Sequence, residues 1–69
     1  AVANLSAGEF IRNVRLQQAA RELVGTDKTI SEISYDNGFN TPSYFSTCFT
    51  TYFGVSPKVY RANNQPKNS

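Results

Sequence analysis

The sequence predicts an all-α fold: a long joining helix, then a helix-turn-helix lobe and a short C-terminal helix. Three observations carry that prediction. Phe45, Cys48, Phe49 and Tyr52 recur at i, i+3, i+4 and i+7, the spacing of one helix face. Helix-starting residues open the segments, and Gly25, Gly38 and Gly54 close them. From Thr29 to Arg61 these signals run in the order short helix, turn, second helix and Ser-Pro restart, the layout that holds a second helix proud of its domain.

Residues 1–8 lack periodicity and are expected to be a disordered start. Glu9–Val24 reads as the joining helix, with Glu9 at its positive end and Gly25 as its stop. At roughly 100° per residue, Leu16, Ala19, Ala20 and Leu23 share one face. Phe10, Ile11 and Val14 gather about 180° away, toward the other end. A helix serving one core would place both groups on one stripe. Opposed patches describe a helix that joins two cores, and the chain before Phe10 is too short to form the first. A preceding lobe of the same parent chain is therefore expected. The alternative is a bend that brings Phe10, Ile11 and Val14 onto the same small core.

The lobe, residues 25–61, starts with a link at Thr26–Lys28. Thr29 is the N-cap of the next helix, and Glu32 completes a capping box. Ile30 and Ile33 face inward, and Ser34 is small enough for close helix approach. Gly38 after Asn37 is a left-handed stop, past which Phe39 turns into the core. Thr41 caps the following helix, with Pro42 at its first position, where a missing N–H costs nothing. Phe45, Cys48, Phe49 and Tyr52 form its buried stripe. Ser43, Thr47 and Thr50 project oppositely, with Ser46 on the flank. After Gly54, Ser56-Pro57 restarts a short helix in which Val59 and Tyr60 are available to pack. Residues 62–69 are polar and expected to be a disordered tail.

A chain of 69 residues holds one small domain, burying about 60% of its unfolded surface. Its nine aromatics, five Phe and four Tyr, supply much of the core. A single Cys and no His exclude an internal disulfide framework and the usual zinc spacings. Cys48 reads as a small buried hydrophobe in a reducing compartment. No apolar run approaches a membrane span and no signal peptide is evident, so a cytoplasmic location is expected. No Gly-rich phosphate loop appears and Cys48 has no His to activate it, so neither enzyme chemistry nor a cofactor is expected.

Net charge is +2, weak for a nucleic-acid binder. Its distribution is more telling: no Asp, Glu, Lys or Arg lies between Asn37 and Pro57. A neutral, hydroxyl-rich helix flanked by basic residues can still meet double-stranded DNA. Ser and Thr hydrogen-bond to base edges, and a Thr methyl packs on a thymine methyl. The backbone candidates are Thr29 and Thr41 at helix starts, with Thr50, Lys58 and Arg61. Ser and Thr on a helix face are also ordinary solvated surface; the turn pattern favours DNA here.

An ordered series of motifs resembles the AraC/XylS-type transcription regulators of bacteria. It comprises FIRNVRL at Phe10–Leu16 with Ala19, Ala20 and Leu23, ISEISY at Ile30–Tyr35, and Gly38-Phe39. It continues through SYFS at Ser43–Ser46, Phe49, YFG at Tyr52–Gly54, and the S-P-x-x-Y-R pattern at Ser56–Arg61. The resemblance implies the second of two helix-turn-helix lobes joined by one long helix, with the first lobe missing. It also implies that Pro42, Ser43, Ser46 and Thr47 occupy the base-facing positions in the major groove. One departure stands out. Family members often carry Arg or Lys where this chain has Thr47, Thr50 and Thr51. The second lobe is then expected to contribute positioning or weak discrimination, the first much of the affinity. The rival reading makes the lobe a protein-contact module touching RNA polymerase or a partner subunit through its charge-free surface.

Overall fold

The computed structural model describes residues 6–64; residues 1–5 of the expected start and 65–69 of the expected tail lie outside them. Four helices follow in chain order: α1 (Ala7–Gly25), α2 (Ile30–Asp36), α3 (Pro42–Phe53) and α4 (Pro57–Asn64). Among the described residues all regular structure is helical.

The first helix begins two residues earlier than expected because it has its own capping box. The Glu9 N–H donates to Ser6 Oγ at 3.1 Å, and the Ser6 N–H donates to Glu9 Oε1 at 3.0 Å. Two amides that the first turn leaves without partners are thereby satisfied. Leu16, Ala19, Ala20 and Leu23 are buried, as their shared face requires. Phe10 is 59% exposed, and Ile11 and Val14 are exposed beside it. Helix α1 runs unbroken through both groups, so no bend folds the second patch onto the first core.

Helix α2 opens on the expected box, with Glu32 N–H to Thr29 Oγ1 at 3.0 Å and Thr29 N–H to Glu32 Oε1 at 2.9 Å. It closes in a Schellman turn. The Phe39 N–H reaches the Ser34 carbonyl at 2.9 Å and the Gly38 N–H reaches that of Tyr35 at 3.1 Å. Gly38 takes φ 85°, the left-handed region that an L side chain enters only at a cost. The turn drives Phe39 into the core, where its ring lies 5.0 Å from that of Phe45.

Thr41 caps α3 by accepting from the Tyr44 N–H at 3.0 Å, with Pro42 in the first turn. Phe45 and Phe49 are fully buried. Two members of the expected stripe are less so. Cys48 is half-buried, and Tyr52 is 41% exposed, its hydroxyl accepting from Gln17 Nε2 at 2.7 Å. Tyr52 stands at the stripe's edge, where its polar tip finds a partner on α1.

Helix α4 extends to Asn64, three residues beyond the expected lobe boundary at Arg61, and Ser56 Oγ caps it by accepting from the Val59 N–H at 3.2 Å. Tyr60 packs with ring centroids 5.3 Å from both Phe49 and Phe53. Val59, the other residue expected to pack, points outward. The core therefore consists of Leu16, Ala19, Ala20 and Leu23 of α1, Ile33 of α2, Phe39 of the turn, and Phe45 and Phe49 of α3. Helix α1 touches each of the others, which makes it the spine against which α2 and α3 are set.

Candidate nucleic-acid interface

Burial of Phe45 and Phe49 fixes the rotation of α3 about its axis, because both side chains have no alternative direction within the core. Ser43, Thr47, Thr50 and Thr51 are consequently exposed on the far face. Pro42 and Ser46 are half-buried at its margin. Ser46, Thr47, Thr50 and Thr51 line one shallow open depression. Tyr44, singled out in the sequence only as part of the SYFS motif, also projects beside this face at 49% exposure. Its place on the helical wheel, between Thr51 and Cys48, was the available signal.

The backbone candidates divide. Thr41 and Thr29 are exposed at the starts of α3 and α2, each hydroxyl already accepting one cap bond; a hydroxyl in that role keeps its own proton for a further acceptor. Lys58 is exposed in the first turn of α4. Arg61, expected on the DNA backbone, is half-buried and hydrogen-bonded within the protein. Its Nε donates to the Leu23 carbonyl at 2.9 Å, and its Nη2 donates to those of Thr26 and Lys28 at 3.1 and 2.7 Å. The C-terminal end of α1 presents carbonyls that no intrahelical amide reaches, and a planar guanidinium on α4 fits several at once. The S-P-x-x-Y-R ending thus locks α4 to the α1–α2 link.

The cations nearest α3 in the fold are carried by other elements. Arg12 and Arg15 come from α1 and Lys58 from α4, while α3 contains no Asp, Glu, Lys or Arg. Arg15 lies over the turn, where a Cβ added to Gly38 would stand 3.0 Å from its Cζ. Lys28 bridges Asp36 at 3.0 Å and Glu22 at 3.5 Å. Hydrogen bonding to Asp36 raises the Lys28 pKa. Within the described residues no helix is long and apolar enough to cross a membrane.

A short helix, a left-handed glycine turn and a second helix with an uncovered polar face define a helix-turn-helix module. A family model described as a helix-turn-helix domain matches residues 1–63. The chain is 44% identical to the transcriptional activator RhaS of Mannheimia succiniciproducens over 75% of its length, and spans 19% of that protein. It is 43% identical to a protein named histidine kinase P4 of Formosa agariphila over 84% of its length, but spans only 4% of it. Among solved structures, the C-terminal domain of AraT, a response regulator from Geobacillus stearothermophilus, superposes with a TM-score of 0.88 at 33% identity, over 97% of this chain and 55% of that one. The chain belongs to the AraC/XylS-type helix-turn-helix family, whose domain binds DNA.

Proposed function

We propose that this chain is the C-terminal reading lobe of a bacterial transcription regulator, acting on double-stranded DNA in the cytoplasm with α3 in the major groove. The observation that carries the proposal is the uncovered hydroxyl face of α3, opposite Phe45 and Phe49. Pro42, Ser43, Ser46 and Thr47 face the bases in this arrangement, while Thr41, Thr50 and Lys58 approach phosphates. Thr29, exposed at the start of α2, is a further phosphate candidate. The first lobe of the same regulator covers Phe10, Ile11 and Val14. An internal parallel supports that assignment. Tyr60 stands four residues after the capping Ser56 and packs on Phe49 and Phe53. Phe10 stands four residues after the capping Ser6 but is exposed, as an aromatic would be whose lobe lies elsewhere.

The test uses the whole regulator and a randomised DNA pool. Replacing Thr47 by alanine should change the bases selected at one or two positions, by roughly 1 kcal/mol or more per position. Equal loss on all sequences would contradict base reading. Lys58→Ala should instead weaken binding to every duplex alike and lower the salt slope by about one.

The charge-free character of α3 favours a second reading, contact with RNA polymerase or a partner subunit. A regulator with Ser43 and Thr47 replaced that kept its DNA affinity and preference but lost activation would support it.

A further inference from the structure

Helix α3 brings no positive charge to a polyanion. A major groove about 12 Å wide sets a phosphate wall on each side of an inserted helix. Phosphate contacts fix the register of a recognition helix, so the cation for the α1 side must come from another element. Along that flank runs a groove of about 380 Å³ lined by Arg12, Asn13 and Leu16 of α1 and by Tyr44, Thr47 and Thr51 of α3, among others. Thr47 and Thr51 also line the depression on the exposed face, so groove and face share a common edge.

We propose that Arg12, reaching from α1 beside Tyr44 and Thr47, contacts a DNA phosphate and supplies the charge that α3 lacks. The inference rests on α3 occupying the major groove. Arg12 makes no ion pair among the described residues, and Glu9, one turn earlier on the same helix, acts on it only through space. It stands one turn before Leu16, which is buried, and this fixes the side of α1 from which it extends. The neighbouring Tyr44 side chain is the chief influence raising its pKa; a guanidinium is charged in any case, and it is the shared groove that sets it beside Tyr44 and Thr47. Arg12 thus fills, from the joining helix, the electrostatic role that charged residues on α3 would otherwise have. The bases remain the task of the hydroxyl face.

The experiment measures affinity of the whole regulator for a duplex selected from a random pool, across a salt series. Arg12→Gln should lower the slope of log affinity against log salt by about one and leave the selected sequence unchanged. Arg12→Lys should retain the slope. A scan with single neutral methylphosphonate linkages should find one position that weakens the wild type but not Arg12→Gln. The proposal is overturned if Arg12→Gln keeps the wild-type slope, or if its only effect is a lower melting temperature of the free regulator. It is also overturned if Arg12→Gln alters the bases selected. A wild-type regulator that selects no sequence overturns the reading of the lobe itself. A selective regulator with an indifferent Arg12 overturns only the present inference.

Discussion

Phe49→Ala unfolds this domain or brings it to the edge of unfolding. The expected loss is about 3–5 kcal/mol, the usual cost of deleting a fully buried aromatic whose cavity cannot collapse. Phe49 has no exposed surface and meets three rings: Phe45 at 5.6 Å, Phe53 at 4.4 Å and Tyr60 at 5.3 Å between centroids. It therefore joins two turns of α3 to α4, and its removal loosens both together. A domain of this size holds only a few kcal/mol of net stability, so the deficit is comparable to the whole. Urea denaturation followed by far-ultraviolet circular dichroism checks it. A cooperative transition within 1 kcal/mol of the wild type would contradict the core described above.

Arg61→Ala is expected to cost about 2–4 kcal/mol, more than any surface arginine should. Its guanidinium serves the carbonyls of Leu23, Thr26 and Lys28, which lose their charged donor together. Arg61→Lys should recover little, because one ammonium cannot reproduce a planar fork. The same denaturation measures the loss. The salt slope for DNA binding, corrected to folded protein, should not change. A slope lower by about one with unaltered stability would return Arg61 to the phosphate backbone.

What was legible in the sequence was local. The box at Thr29 and Glu32, the glycine turn at Gly38 and the Thr41-Pro42 start each lie within a few residues, where capping chemistry alone decides. The same rule could have found the earlier helix start, since Ser6 and Glu9 have the spacing of Thr29 and Glu32. The opposed patches of α1 were legible because period fixes direction, and Leu16 and Phe10 differ in burial as their directions require. Period does not fix depth. Tyr52 has the right angle for the core but lies at its rim, within reach of Gln17. Distance in sequence hid the rest. The carbonyls that hold Arg61 lie 33 to 38 residues away, and the groove that Arg12 and Tyr44 line together depends on the packing of α1 against α3.

The hydroxyl face of α3 is the centre of the account, and photo-cross-linking from position 47 tests it most directly. A photoreactive amino acid at position 47 of the whole regulator, irradiated on its selected duplex with RNA polymerase present, should form its main adduct with a base at the major-groove edge. An adduct formed solely with polymerase or another protein lobe, on a duplex shown to be bound, would contradict groove reading by this helix.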